Sequence, residues 1–68
     1  MTQNEKIMKY LQDFGSITTM EAFAELGITR LASRIHELRK SGIRIDAETV
    51  TAKNRYGERI HFARYKAV

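Results

Sequence analysis

Near the beginning of the chain, apolar residues recur at the spacing of one face of an α-helix. The residues of this face are Ile7, Leu11 and Phe14. Thr2, followed three residues later by Glu5, has the composition of a capping box, and Gly15 is suited to end a helix. The pattern predicts a first helix over about residues 3–14, with Ile7, Leu11 and Phe14 in the core.

A second and shorter helix is predicted directly afterwards. Residues 16–18 are too few for a helix and indicate a short strand. Thr18 and Glu21 repeat the capping box, and Gly27 marks the end, so the helix spans about residues 19–26. Its residues expected to point inward are Met20, Phe23 and Leu26.

The third helix follows a short turn, in which Ile28 is expected to be buried. Thr29 is suited to the N-cap and Gly42 to the end, which places the helix over about residues 30–41. Its apolar stripe is Leu31, Ile35 and Leu38. The opposite face holds Arg30, Ser33, Glu37 and Lys40, with Arg34 at its margin. The helix is therefore apolar on one side and mostly basic on the other.

After Gly42 the pattern changes to the alternation of a half-buried strand. Residues 43–52 and the segment from Glu58 to about Lys66 are the two strands, separated by a turn at residues 54–57. A β-hairpin over about residues 43–66 is therefore predicted. The basic residues at its tip are Lys53, Arg55 and Arg59.

A loop at residues 55–57 sets the register of this hairpin, because Asn54 then faces Glu58. In that register Glu48 opposes Arg64 and Asp46 opposes Lys66. The residues expected to cover the helices are Ile45, Ala47, Ala63 and Tyr65. The apolar residues left on the outward side are Val50, Ala52, Ile60 and Phe62. Either a bulge or strong twist turns this apolar group inward, or it contacts a partner chain.

Length and charge narrow the class of protein. A chain of 68 residues without cysteine is expected to form one domain that needs no disulfide, with no membrane span and no leader, in the cytoplasm. The net charge of +4 is uneven: residues 1–28 carry −2, and residues 29–68 carry ten basic against four acidic side chains. This asymmetry favours a polyanionic partner over a basic composition that serves solubility alone.

The titratable residues do not indicate catalysis. His36 and His61 are scattered, and no cysteine or clustered carboxylates complete a metal site. A nucleophile–base pair and a glycine-rich phosphate loop are also missing from the sequence. We therefore expect neither an enzyme nor a bound cofactor, metal or small-molecule substrate.

The order helix, short strand, helix, helix, hairpin resembles that of winged helix-turn-helix domains. The segments that carry the resemblance are Gly15-Ser16-Ile17-Thr18, Leu26-Gly27-Ile28 and the run from Leu31 to Gly42. Within that run, Arg34, Ile35, Leu38, Arg39 and Gly42, followed by Ile45, are similar to the small helix-turn-helix proteins of bacteriophage and prophage genomes. One departure concerns the repressor-type variant, which usually has a small residue where Phe23 stands. The bulk of Phe23 favours the winged variant.

This resemblance implies an α+β fold of three helices and a small antiparallel sheet, formed by residues 1–68 as a single domain. It also implies sequence-specific binding of double-stranded DNA by a phage- or prophage-type transcriptional regulator, with the third helix in the major groove and the hairpin wing on the backbone or minor groove. The implied contacts of the third helix are Thr29, Arg30, Ser33, Arg34, Glu37 and Lys40. The implied contacts of the wing are Lys53, Asn54, Arg55 and Arg59.

The roles within this set differ. Arg30 and Arg34 are candidates for guanine, Ser33 for a base or a phosphate, and Thr29 for a phosphate at the helix start. Glu37 either accepts a hydrogen bond from cytosine or orients Arg34 or Lys40. The alternative for the wing residues is a solvated turn that binds nothing.

A second interpretation also fits the same scaffold. It is a protein–protein interaction module without DNA specificity of its own. A homodimer, or cooperative copies on DNA, is a further expectation, because one small domain contacts little DNA. The candidate contacts between copies are Val50, Ile60, Phe62 and the terminal Ala67-Val68.

Overall fold

Three helices and three strands follow one another along the chain in the predicted order. The computed structural model describes residues 1–68, with α1 at Gln3–Phe14, β1 at Ser16–Thr18, α2 at Thr19–Leu26, α3 at Leu31–Lys40, β2 at Ile45–Lys53 and β3 at Arg59–Ala67. The strands form one antiparallel sheet in the order β1-β3-β2. The predicted α+β winged-helix architecture is confirmed.

Both capping boxes form as predicted. At α1, the Glu5 N–H donates to Thr2 Oγ1 over 3.1 Å, and the Thr2 N–H donates to Glu5 Oε1 over 2.8 Å. At α2, the Glu21 N–H donates to Thr18 Oγ1 over 3.2 Å, and the Thr18 N–H donates back to Glu21 over 2.9 Å. The hydrogen bonds from Thr2, first from its backbone, lower the pKa of the Glu5 carboxyl below its ordinary value.

The start of α3 differs from the prediction, whereas Gly42 ends the helix as predicted. Its N-cap residue is Arg30, without a side-chain hydrogen bond, so the assignment of Thr29 as the cap is wrong. The first helical hydrogen bond runs from the Arg34 N–H to the Arg30 carbonyl over 3.3 Å. Arg30 is therefore the N-cap, and Thr29 lies one residue before the cap position. At the other end, Gly42 takes a φ of +100°, and the Ile43 N–H donates to the Leu38 carbonyl over 3.1 Å. Ile43 therefore closes the helix, and β2 begins two residues later than predicted.

The core lies where the helices meet the sheet beside β1. Its ten buried hydrophobic residues are Ile7, Tyr10, Leu11, Ile17, Ala22, Ile28, Leu31, Ile35, Leu38 and Ile45. Half-buried Met8, Leu26, Ile43 and Tyr65 pack against them. Each α3 residue predicted to be apolar and inward is buried, and so is Ile28 in the preceding turn. This core fixes α3 by one face and leaves the opposite face to solvent.

Ala47 of β2, which was expected to cover the helices, is exposed, and three helical residues predicted to be inward are exposed as well. Phe14 is 67%, Met20 75% and Phe23 59% exposed. The Phe14 ring lies over the buried ring of Tyr10, with the centroids 4.6 Å apart. At about 100° per residue, Phe23 and Met20 turn roughly 100° and 160° away from buried Ala22, because a spacing of three residues drifts around the helix.

The bulk of Phe23 was expected to favour the winged variant through its packing between the helices, but Phe23 is exposed. A side chain that is mostly in solvent does not determine how α2 packs on α3. The winged arrangement is nevertheless present. It follows from the hairpin and from the pairing of β1 with β3.

Tyr10 links α1 to α2 through its hydroxyl. The hydroxyl donates to Glu21 Oε2 over 3.3 Å, and its ring is buried in the core. The Glu25 carboxylate, burial and the Glu21 carboxylate all disfavour a phenolate at this position. Together they raise the pKa of Tyr10 well above its ordinary value.

The hairpin has the predicted register without a bulge. Every pair from Ile45↔Ala67 to Lys53↔Arg59 is in place, including Glu48↔Arg64. The Glu48 Oε1 atom lies 3.6 Å from Arg64 Nη1 and 3.3 Å from Lys66 Nζ. Asp46 and Lys66 lie directly opposite each other, as predicted, but they do not form the expected ion pair. Lys66 pairs diagonally with Glu48 instead.

The outer half of the hairpin projects from the body. It continues for five residue pairs beyond the pairing with β1, which is roughly 17 Å at 3.3 Å per residue. The molecule accordingly measures 39 × 21 × 21 Å. Because the ladder is unbroken, no bulge turns the apolar group inward. The residues that stay on the outer face are Val50, Ala52, Ile60 and Phe62, of which Ile60 is the most exposed.

Candidate nucleic-acid interface

The exposed face of α3 is set by the burial of its apolar stripe. Ser33 is half-buried, whereas Glu37 and Lys40 are exposed on the side opposite the core. Thr29 and Arg30 are also exposed, just before the first turn. The structure therefore brings the third-helix residues predicted from the sequence to one end and one side of α3.

The start of α3 has no capping side chain. In an α-helix the first backbone N–H groups lack intrahelical partners and point along the axis with partial positive charge. At α1 and α2, threonine side chains satisfy part of this need, but neither Thr29 nor Arg30 does so here. The N–H groups of Leu31 and its neighbours thus remain available to an anion in solution.

Arg34 is held at the boundary between α3 and α1. Its Nη1 lies 3.3 Å from Glu37 Oε1, and the same oxygen accepts a hydrogen bond of 3.3 Å from Asn4 Nδ2 of α1. The Arg34 Nε and the Asn4 Oδ1 atoms are buried without a hydrogen-bond partner. The Arg34 side chain is only 32% exposed. Glu37 therefore orients Arg34 in the free protein, which is one of the two roles predicted for this glutamate.

Arg39 ties the end of α3 to the beginning of the wing. Its Nε donates to the Ile45 carbonyl over 3.0 Å. This hydrogen bond links the last turn of α3 to the first residue of β2 across the Gly42 turn. The exposed face of α3 and the hairpin are consequently held in one arrangement.

The two faces of the projecting hairpin have different chemistry. Residues of β2 with the parity of Ile45 lie on the face that packs against the helices, and their partners in β3 share it. On this face Thr51 Oγ1 lies 3.1 Å from His61 Nδ1, and Lys53 stands directly opposite Arg59. The apolar group lies on the reverse face. The cations of the strand ends therefore share the helix side of the sheet.

Asn54 organises the turn at the tip of the wing. Its Oδ1 accepts from the backbone N–H groups of Tyr56 and Glu58, each over 3.0 Å. Its Nδ2 donates to Glu58 Oε1 over 3.2 Å, and its carbonyl accepts from the Gly57 N–H over 3.1 Å. Gly57 has a φ of +78°, in the left-handed region that favours glycine. The Asn54 side chain is thus engaged within the turn, whereas Arg55 at the tip is exposed.

Cations on the two sides of the molecule are neutralised differently. On the outer face of the sheet, Arg64 and Lys66 both pair with Glu48. In contrast, five cations of the predicted interface form no ion pair: Arg30, Lys40, Lys53, Arg55 and Arg59. Like charges directly opposite across two strands, as at Lys53 and Arg59, are destabilising. Such a cluster gains stability when an anion binds to it.

Two residues of this region escaped the sequence analysis. Asn4 contacts Glu37 across 33 residues of sequence, and no local pattern indicates such a contact. Tyr56 is 83% exposed at the wing tip. Its place in the turn was predictable from Asn54 and Gly57, but the contacts expected at the wing were Asn54 and the cations, without Tyr56.

Comparison with known proteins places this geometry in a family. None of the helices is both long and apolar enough to cross a membrane. Searches of curated proteins and of solved structures find no match to the chain. The family model described as "Winged helix-turn-helix domain" matches residues 2–66, nearly the whole chain. This family is typically a non-enzymatic DNA-binding fold. The chain therefore belongs to the winged helix-turn-helix domain family, which indicates DNA binding in general terms.

Proposed function

We propose that residues 1–68 act as one domain that binds double-stranded DNA with sequence specificity, as a phage- or prophage-type transcriptional regulator. The observation that carries this proposal is the distribution of charge. Lys53 and Arg59 face each other without a carboxylate on the helix side of the sheet, while the cations of the outer face are paired. A surface of uncompensated cations is the electrostatic footprint of a nucleic-acid partner.

In this proposal α3 enters the major groove with its N-terminal end closest to the bases. Arg30 is exposed and unpaired, so its guanidinium is available to O6 and N7 of a guanine. Ser33 is short enough to permit close approach, and Lys40 contacts a phosphate. The uncapped start of α3, next to Thr29, supplies backbone N–H groups for another phosphate.

Arg34 takes part in base reading through its orientation. Glu37 fixes the guanidinium in the free protein, so less freedom is lost when Arg34 meets a base. The wing supplies the remaining contacts, with Lys53, Arg55 and Arg59 on the backbone or at the edge of the minor groove. Asn54 contributes by shaping the turn that presents Arg55.

The experiment is selection of bound duplexes from a random pool, followed by binding measurements on the selected site. We expect a defined motif, and half-site symmetry in it indicates two copies on DNA. Arg34→Ala should relax the base preference, while Arg55→Ala should weaken all sequences about equally. Arg64→Ala on the outer face is the matched control and should have little effect. A pool that yields no enriched sequence contradicts specific recognition.

A second candidate function rests on the outer face of the wing. Phe62 and Val50 are only partly covered there, and Ile60 is exposed, although no bulge or helix shields them. An apolar group of this kind fits a protein-interaction module on the same scaffold. Ile60→Ser should abolish association with a protein partner or second copy in that case, and leave DNA affinity unchanged. The solution mass of the wild-type chain and of Ile60→Ser shows whether the outer face of the wing binds a second copy.

A further inference from the structure

The tip of the wing is preorganised by its own hydrogen bonds. Asn54 accepts from two backbone N–H groups and donates to Glu58, and its backbone closes the turn with Gly57 and Glu58. The turn therefore does not need a partner to reach this shape. The backbone at its apex is therefore already ordered, which lowers the entropy lost on binding.

Tyr56 lies at this apex and has no function within the chain. It is 83% exposed, its hydroxyl makes no hydrogen bond, and its ring pairs with no other aromatic ring. Its neighbour Arg55 and the opposed pair of Lys53 and Arg59 make the surroundings cationic. A large aromatic group is thus held in solvent next to positive charges that attract DNA.

We propose that Tyr56 enters the minor groove beside Arg55 and packs its ring against the sugars and base edges, as a contact that carries no charge. This inference rests on the proposed function. The minor groove of B-DNA is about 6 Å wide, and proteins commonly insert apolar side chains into it next to arginine. Tyrosine is suited to this because it brings a large rigid surface with only two rotatable side-chain torsions.

The chemistry of the contact separates it from the ionic ones. Each phosphate neutralised by a cation contributes about 0.9 to the log–log slope of affinity against salt. Ring packing releases no counterions, so loss of Tyr56 should lower affinity at every salt concentration and leave the slope unchanged. Loss of Arg55 should instead change the slope.

The test is equilibrium binding of the full chain to one duplex over a range of salt concentrations. The variants are Tyr56→Ala, Tyr56→Phe and Arg55→Ala, and thermal unfolding verifies that each is as stable as the wild type. We expect Tyr56→Ala to bind roughly 5- to 100-fold more weakly, as for loss of the apolar surface that one aromatic ring buries. Its salt slope should equal that of the wild type. Tyr56→Phe should bind as the wild type does, since it keeps the ring.

Any of three results overturns the proposal. If Tyr56→Ala binds within twofold of the wild type, or changes the slope as Arg55→Ala does, the ring makes no such contact, and the proposed function stands without it. If Tyr56→Phe is as weak as Tyr56→Ala, the hydroxyl rather than the ring makes the contact. If the wild type does not bind the duplex at low salt, the proposed function and the contact fail together.

Discussion

Glu37 is the only acidic side chain between Glu25 and Asp46, and it lies on the exposed side of α3. Its carboxylate holds Arg34 and accepts from Asn4. If α3 approaches a phosphate backbone, this carboxylate opposes binding while it orients the arginine. Glu37→Gln removes the charge and keeps the shape and an acceptor for Asn4. We therefore expect Glu37→Gln to bind random-sequence DNA more tightly than the wild type.

The size of the effect follows from Coulomb's law. Two unit charges about 8 Å apart interact by about 0.5 kcal/mol at the dielectric constant of water, and by about 2 kcal/mol at an effective value of 20. These energies correspond to a gain in affinity of roughly 2- to 30-fold, which salt screening reduces. The ion pair itself is a partly exposed i,i+3 pair worth about 0.5 kcal/mol or less, so the stability of the variant should change little.

Fluorescence anisotropy with a labelled random duplex measures this gain at low salt. Glu48→Gln is the matched control because it changes net charge equally but lies on the outer face, where Glu48 pairs with Arg64 and Lys66. We expect a clearly smaller gain from the control. On the selected site, Glu37→Gln should also lose discrimination, since Arg34 is then less firmly oriented.

Equal gains for Glu37→Gln and Glu48→Gln refute the placement of α3 against DNA. Weaker binding of Glu37→Gln to every sequence also contradicts it, because relief of repulsion from nearby phosphates should outweigh the loss of one partly exposed ion pair. Weaker binding confined to one base pair of the selected site indicates instead that Glu37 accepts from cytosine.

Three further predictions concern stability. Thr18→Ala should lower the free energy of unfolding by about 1 kcal/mol through loss of the cap on α2, whereas exposed Thr19→Ala should change it little, as measured by urea denaturation. Leu31, which is 1% exposed, is a core residue, so Leu31→Ala should lower the free energy of unfolding by about 2–5 kcal/mol. Phe23→Ala should lower it by under about 1 kcal/mol, and equal losses for the two variants would contradict the exposed position of Phe23. Because the pKa of Tyr10 is raised on folding, its contribution to stability is complete below about pH 10 and declines as pH rises above that value. The melting temperature of Tyr10→Phe should therefore fall less steeply above about pH 10 than that of the wild type, as measured by thermal unfolding monitored by circular dichroism.

Local chemistry accounts for the parts of the fold that were predictable. The capping boxes of Thr2 and Thr18 act within three residues, and the turn at Asn54–Gly57 sets the register of the hairpin. Each of these is a short-range hydrogen-bond pattern that residue types reveal directly. The burial of Leu31, Ile35 and Leu38 followed from a stripe that remains in line over two turns of α3.

The failures lie where tertiary packing decides. Whether Phe14 or Tyr10 fills the core depends on where α2 crosses α1, and sequence periodicity does not contain that position. Met20 and Phe23 were misplaced because α2 has only eight residues, over which a spacing of three cannot define one face. The start of α3 was placed one residue too early because Thr29 is a good cap by composition, but its backbone does not occupy the cap position.

The candidate interface shows the same division. The exposure of Arg30, Lys40 and the wing cations follows from helix periodicity and strand alternation. The restraint of Arg34 by Glu37 was one of the two roles predicted for this glutamate. The hydrogen bond from Asn4 to Glu37 joins α1 to α3, so it depends on the assembled fold. The hydrogen bonds of the Asn54 side chain within the turn were not predicted, and its contact with DNA stays a prediction.

The salt dependence of binding tests the central claim most directly. Five interface cations form no ion pair: Arg30, Lys40, Lys53, Arg55 and Arg59. On random duplex DNA, where Arg30 selects no particular guanine, each of the five is counted as neutralising one phosphate, and the log–log slope of affinity against salt should be roughly −4 to −5. No binding at low salt, or binding with a slope near zero, would contradict a DNA-binding surface built from α3 and the wing.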